Sequence, residues 1–352
     1  MQFESLSITN IQRETEDSLL ITLAASPALS SAFHSGQHLT VKADINGAAL
    51  YRTYSICQPA CRRTIEIGVR VINGGLMSEY LAQQRQGDKL LVGAPIGTFY
   101  LHTSPTQFND NILFIAGGSG ITPIIGMLEE LMLSQPQSRA TLLYANRTLS
   151  STMFFERLMQ MKNRFIDRLE THLFFTREQT LVDWRSCRLN ADTLEKLTQR
   201  GMLPYKNYDA CYLCGPIPMM ESCRDFLHDP IPNIYTEAFG TANTTTRTVT
   251  LQQTAPPAEP IARVQIVIDG VQREFDFCAD DYSVLEAAKR HKIALPFSCT
   301  GGVCGTCRAK VLSGKADMKN NYALEADDIN KGFVLSCQAK PLSDNLSLSF
   351  DY

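Results

Sequence analysis

The sequence predicts a chain of three parts: an antiparallel β-barrel or sandwich, a doubly wound α/β unit on a parallel sheet, and a smaller α+β unit. Three observations predict it. Up to about residue 105, short apolar or alternating runs recur between turn residues. Between residues 112 and 238, apolar strands alternate with stretches of helical periodicity. After a segment rich in Thr, Pro and Gln come a hairpin pattern, a helix and a cysteine-rich loop.

In the first part, "SLLITLAA", "QHLTVKADI", "RTYSI", "TIEIGVRVI" and "KLLVGAPIGTFYL" read as strands, and one helix is expected at Leu76–Gln84, after Gly74-Gly75. In the second, the expected strands are "NILFIAGG", "ATLLYANR", "LETHLFFTRE" and "DACYLCGP". They alternate with the helices "GITPIIGMLEELMLS", "STMFFERLMQMKNRF", "NADTLEKLTQR" and "IPMMESCRDFLHD". "GTANTTTRTVTLQQTAPPAEP" lacks helical pattern and large apolar residues and reads as a linker. In the last part, "ARVQIVIDGVQREFDFCA" reads as a hairpin turning at Asp269-Gly270, and "SVLEAAKRHKI" as a helix. The units are placed at 1–106, 107–240 and 261–352, with the linker at 241–260.

Composition narrows the function. The chain is 44% hydrophobic and 20% charged with a formal net charge of −3, which excludes a polybasic nucleic-acid surface or an acidic tail as its working part. No run approaches the ~18 apolar residues of a membrane span, and "MQFESLSITNIQ" lacks the basic-then-apolar order of a secretory leader. A soluble cytoplasmic protein is expected, with neither nucleic acid nor membrane as partner and with reduced thiols. The eleven cysteines are an odd number in a chain too long to depend on disulfides.

Three of them lie in "PFSCTGGVCGTC". With the cysteine of "FVLSCQAKP", Cys299, Cys304, Cys307 and Cys337 form C-x4-C-x2-C-x29-C. That is the plant-type spacing for a [2Fe–2S] cluster, in which two irons take two thiolates each. Gly301, Gly302 and Gly305 let the backbone wrap closely and aim N–H groups at sulfur. Zinc and purely structural thiols are the alternatives. Zinc usually takes paired C-x2-C knuckles or a Cys/His mix, so the spacing favours the cluster.

A cluster accepts one electron, whereas a nicotinamide gives two as hydride. A flavin is the usual converter, so sites for both are sought. "ILFIAGGSGITP" sets Gly117, Gly118 and Gly120 between a buried strand and a helix, with Pro123 in the first helical turn. Such a turn admits a pyrophosphate to the helix N-terminus, although it is not the full dinucleotide fingerprint. "LCGPIPMM" is a second strand–loop–helix turn. Its Cys214 and the preceding Cys211 share one strand, which argues against a metal or redox pair. "RTYS" alternates, sending Arg52 and Tyr54 to one face and Thr53 and Ser55 to the other.

In this order, "RTYS", "GVRVINGGLMS", "GAPIGTF", "AGGSGITP", "YLCGPIPMM" and "EAF" resemble the ferredoxin–NADP reductase superfamily over residues 1–240, and the last ~90 residues resemble plant-type ferredoxins, which have a β-grasp fold. The combination resembles the reductase components of multicomponent oxygenases. The phenylacetyl-CoA epoxidase type is nearest in architecture; steroid hydroxylase and hybrid-cluster-protein reductases share the domain order. The resemblance implies an FAD barrel, an NAD(P) domain and a ferredoxin domain passing electrons from NADPH through FAD and the cluster to a protein acceptor, a non-haem iron oxygenase. The alternative class is a passive redox carrier or sensor, which would have no use for the flavin and nicotinamide motifs.

The resemblance also implies residue roles. Arg52 pairs with the flavin phosphate, Tyr54 packs on the isoalloxazine, and Ser55 hydrogen-bonds near its N5. Gly75 and Ser78 hold the FAD pyrophosphate, and Phe239 covers the opposite flavin face. Gly117, Gly118, Gly120, Thr122, Cys214, Gly215 and Pro216 line the nicotinamide site, with Tyr54, Ser55 and Cys214 at the reacting centre. Arg147 in "YANRTLSS" and Arg177 in "FFTREQ" follow two strands of the parallel sheet and favour NADPH over NADH, because a 2′-phosphate calls for arginines. His38 in "GQHLT" is expected to be a packing or exposed residue, Met127, Met132 and Met159–Met161 core filler, and Cys57, Cys61, Cys187, Cys223 and Cys278 unpaired thiols.

Overall fold

The computed structural model describes residues 3–25, 29, 33–60, 64–102, 110–179, 185–239, 259–268 and 270–352. In the first unit β1 (Phe3–Thr15), β2 (Ser18–Ala24), β3 (His38–Ile45), β4 (Ala48–Ser55), β5 (Thr64–Arg70) and β6 (Lys89–Gly93) form an antiparallel sheet ordered β4-β3-β6-β1-β2-β5. Ile56, just past β4, bridges Ile67 of β5 and closes the sheet into a barrel. Two-residue alternation turns Leu6, Ile8, Ile21, Leu39, Val41, Ile65, Ile67 and Val92 inward as its core. Helix α1 (Leu76–Ala82) buries Met77 and Leu81; Gln83 beyond it keeps αR geometry, so its end differs from the expected Gln84 only by fraying.

The second unit runs β7 (Asn111–Gly117), α2 (Ile121–Ser134), β8 (Arg139–Asn146), α3 (Phe155–Arg164), β9 (Leu169–Phe175), α4 (Ala191–Gln199), β10 (Ala210–Cys214), α5 (Ile217–Leu227) and β11 (Asn233–Glu237). Its five strands are parallel, in the order β11-β10-β7-β8-β9. One face carries a core with Ile124, Leu128 and Leu158, the other a core with Leu194, Leu197 and Leu227. Helices therefore cover both faces. Strand order reverses between β7 and β10, which is where an open α/β sheet forms its ligand crevice. Helix α3 starts later than its apolar pattern predicts, because Phe154 takes a left-handed φ of 58°.

The third unit contains β12 (Pro260–Ile268), β13 (Val271–Cys278), α6 (Val284–Arg290), β14 (Arg308–Ser313), β15 (Ala316–Met318), α7 (Ala326–Asn330), β16 (Phe333–Leu335), β17 (Ala339–Pro341) and β18 (Asn345–Ser349). A mixed sheet, β13-β12-β18-β14-β16, is packed by α6 through Val284, Leu285, Ala287 and Ala288. Ile268 faces Val271 across the expected hairpin and Gly270 has φ +70°. Asp269, Cys61 and linker residues 241–258 lie outside the described residues. Among the described residues no disulfide joins two cysteines. Among the described residues no helix is long and apolar enough to cross a membrane.

The barrel and the α/β unit share a polar seam. Arg157 of α3 reaches Glu66 of β5 at 3.3 Å and also pairs with Glu129 of α2. The Phe154 N–H donates to Glu14 of β1 at 3.1 Å.

Candidate functional site

Two loops meet at the crevice. Gly117 ends β7 and Gly118–Gly120 form a 3-10 turn into α2, with Pro123 in its first turn. Cys214 ends β10, and Gly215-Pro216 lead into α5. The contact is backbone to backbone. A methyl at Gly120 would overlap the Cys214 carbonyl oxygen and lie 2.8 Å from Gly215 N; one at Gly117 would lie 2.7 Å from Pro216 Cδ. Glycine is thus demanded here by the opposing loop. Thr122 is buried and donates to the Ser119 carbonyl at 3.0 Å. Cys214 stands in register between Ala116 and Glu237. Burial and the Glu237 charge push its thiol well up, so it stays neutral. Cys211 belongs to the core on the opposite face of the sheet from Cys214, so the two thiols cannot pair.

On the barrel, β3 and β4 pair His38 with Ser55, Leu39 with Tyr54, Thr40 with Thr53 and Val41 with Arg52. Tyr54 packs against the barrel core, and burial pushes its phenol up. Arg52 Nη1 donates to the Tyr51 carbonyl at 2.7 Å. Phe239, just past β11, packs on the α/β core that contains Cys214. Ser78 Oγ accepts from Ile72 N at 3.1 Å and donates to the Gly75 carbonyl at 2.9 Å, bracing the turn before α1. Buried Ser55 Oγ and Glu237 Oε2 have no hydrogen-bond partner among the described residues. Orphaned buried polar atoms normally find partners. These two flank His38, so the crevice fits a group with polar edges, such as an isoalloxazine.

Arg147 and Arg177 follow β8 and β9, and their loops are joined by an Arg177 N–H to Arg147 carbonyl bond of 2.9 Å. With Thr176, Ser186, Cys187 and Arg188 they line a cavity of about 470 Å³. Three guanidinium-bearing residues around one polar cavity fit a phosphate. Arg188 was not singled out from the sequence, because nothing in "WRSCRLN" fixes its distance from Arg147.

The four cysteines, three on the loop and Cys337 just past β16, fall into two neighbouring couples. Cys304 hydrogen-bonds Cys299, which holds the Cys299 thiol down at about 5 despite burial; the N–H groups of Val303, Cys304 and Gly301 add to this. Val303 N and Cys304 N lie 3.4 and 3.3 Å from its sulfur. Cys307 likewise hydrogen-bonds Cys337 and lowers its thiol. Among the described residues no three ligating groups converge on one point. A binuclear cluster requires two thiolates on each iron, and the neighbouring couples Cys299–Cys304 and Cys307–Cys337 fit that division.

The cluster loop also meets the barrel. Thr40 Oγ1 lies 3.5 Å from Thr306 Oγ1, and Thr53 Oγ1 lies 3.5 Å from Ser298 Oγ. His38 is buried, as packing would have it, but its ring is a bridge: Nδ1 is 3.3 Å from Glu237 Oε1 and Nε2 is 2.9 Å from the Cys304 carbonyl oxygen. One side chain thereby touches all three units. No local pattern links positions 38, 237 and 304, so sequence reasoning missed the bridge.

Comparisons with known proteins agree with this architecture. An oxidoreductase FAD-binding domain model matches residues 5–100, an oxidoreductase NAD-binding domain model 114–225, and a 2Fe-2S iron-sulfur cluster binding domain model 266–342. One subunit of the 1,2-phenylacetyl-CoA epoxidase of Escherichia coli (strain K12) is 37% identical over 356 residues, covering 99% of this chain and 98% of that protein. The 3-ketosteroid-9-alpha-monooxygenase ferredoxin reductase component of Rhodococcus rhodochrous is 28% identical, covering 98% and 96%. Among solved structures, phthalate dioxygenase reductase superposes with a TM-score of 0.58 at 26% identity, covering 99% of this chain and 98% of that one.

Proposed function

Since the chain belongs to the oxygenase reductases that join an FAD-binding, an NAD-binding and a [2Fe-2S] domain in one polypeptide, we propose that it is an NADPH-dependent cytoplasmic reductase serving an oxygenase of the phenylacetyl-CoA epoxidase type. The observation that carries the partner assignment is the 37% identity to the Escherichia coli epoxidase component across nearly the whole of both chains. We take the working units as 1–106, 107–240 and 261–352, joined by 241–260.

When bound, the flavin converts a two-electron hydride into single electrons that a [2Fe–2S] centre can take. The chain's own residues do the rest. Gly117, Gly118, Gly120, Thr122, Cys214, Gly215 and Pro216 form a close-packed floor that excludes water from the nicotinamide. The neutral Cys214 thiol puts no charge beside it. Arg52 and the Gly75–Ser78 turn would hold the FAD phosphates, and Tyr54, Phe239 and Ser55 would hold its isoalloxazine. Arg147, Arg177 and Arg188 receive the 2′-phosphate. Cys299, Cys304, Cys307 and Cys337 ligate the cluster.

Two measurements test this. NADPH should have a much lower KM than NADH, and the purified chain should support phenylacetyl-CoA-dependent oxygen uptake with an epoxidase oxygenase component. Equal use of both nucleotides sinks the first part. Coupling only to another oxygenase, such as a ketosteroid monooxygenase, sinks the second.

A further inference from the structure

We propose that His38 is the positioning residue that docks the cluster loop on the flavin barrel, with Glu237 fixing its ring and the Cys304 carbonyl as its target. The inference rests on the reading of the chain as a flavin-to-cluster reductase. Its basis is geometric. The His38 backbone is locked by two hydrogen bonds with Ile96, N–H to carbonyl in each direction, at 3.0 and 2.9 Å. Gly97 leaves the ring its space: a methyl there would lie 3.0 Å from both Cε1 and Nδ1. The Cys304 carbonyl can only accept, so Nε2 carries the proton toward it. Glu237 Oε1 is also an acceptor, 3.3 Å from Nδ1, so it holds the ring's other edge when that nitrogen carries a proton too.

What is held is chosen well. Cys304 is one of the three thiols of the cluster loop, and His38 sits opposite Ser55 in the β3–β4 register. The bridge therefore joins the backbone of a cluster ligand to the strand pair assigned to the flavin edge. Among the described residues two further polar contacts join loop and barrel, Thr40–Thr306 and Thr53–Ser298, hydroxyl pairs at 3.5 Å, the outer limit of a hydrogen bond. At 2.9 Å, His38 makes the shortest of these three polar links, and Glu237 at the end of β11 ties the α/β unit to the same point.

The test compares His38→Phe with His38→Gln in the full-length holoprotein. Phe keeps the ring and leaves the buried Cys304 carbonyl without its donor; Gln restores an N–H at the Nε2 position. Loss of such a bond should shift the docked–undocked equilibrium by about 5- to 150-fold. Hydrogen exchange in the peptide 296–307 should rise by that factor in His38→Phe and return toward wild type in His38→Gln. In single-turnover kinetics, flavin-to-cluster transfer should slow more than flavin reduction by nicotinamide. Should the Phe variant fail to fold, His38→Leu takes its place with the same expectation. Unchanged exchange in the apolar variant, a Gln variant that matches it, or equal slowing of both half-reactions would overturn the proposal. A wild-type chain that takes no electrons from either nicotinamide would refute the function reading instead, while the exchange comparison still decides the docking role.

Discussion

Replacing Gly120 by alanine should disable the nicotinamide site without touching a ligand. The added methyl would sit 2.5 Å from the Cys214 carbonyl carbon and 2.8 Å from Gly215 N, against backbone rather than the free end of a side chain. No rotamer change relieves it, so the loop from Cys214 to Pro216 must retreat. Overpacking of this kind costs about 1–3 kcal/mol of stability. The kinetic effect should be larger, because a misplacement of about 1 Å at a reacting centre can lower the rate roughly a hundredfold. The assay is anaerobic stopped-flow bleaching of the flavin by NADPH, alongside FAD content and photochemical reduction of the flavin. Gly120→Ala should bind FAD normally and be reduced by light, yet accept hydride slowly even at saturating NADPH. A variant with wild-type bleaching would refute the inference that the two loops are packed to contact and that their spacing sets the hydride geometry.

Serine at Cys299, Cys304 or Cys307 should abolish the cluster while FAD remains, read by iron and labile-sulfide analysis; Cys211→Ser should keep both, because Cys211 lies in the core between β10 and α5. Alanine at Arg147, Arg177 or Arg188 should raise KM for NADPH about tenfold to a hundredfold over any effect on NADH, since a charge-assisted phosphate contact contributes roughly 1.5–3 kcal/mol; equal weakening of both nucleotides would show that the cavity takes another group. Arg157→Met removes the cation faced by both Glu66 and Glu129, whose side chains are 14% and 12% exposed. Urea unfolding should register a loss of roughly 2–3 kcal/mol, a little below the 3–5 of a fully buried pair.

The parts of this molecule governed by local pattern were legible in its sequence. Alternation marked five of the six barrel strands, but not β1, whose 13 residues are mostly exposed or half-buried and give no clear two-residue pattern; strand–helix alternation marked the four main strands of the parallel sheet. The cysteine spacing carried enough chemistry to indicate a binuclear cluster, and the thiols do come in two pairs. Several short elements were not legible either. β16 and β17 have three residues each and β11 five with a half-buried pattern, too few for a periodicity to rise above chance. Missing β11 meant missing where Glu237 points. His38 illustrates the deeper limit: its partners lie 199 and 266 residues away, and only the docking of three separate cores brings them together. Arg188 is the same case on a smaller scale, since a shared cavity, not a motif, links it with Arg147.

The central claim is the order of electron flow, and full-length Cys307→Ser tests it most directly against wild type. Both proteins are mixed anaerobically with NADPH, the flavin is followed by absorbance and the cluster by electron paramagnetic resonance, and turnover is measured with ferricyanide and with the oxygenase component. Wild-type flavin should bleach before the reduced-cluster signal grows. In the variant, flavin bleaching and ferricyanide turnover should persist while oxygenase reduction collapses. A variant that reduces the oxygenase as fast as wild type would contradict this order, because the cluster would then lie off the path.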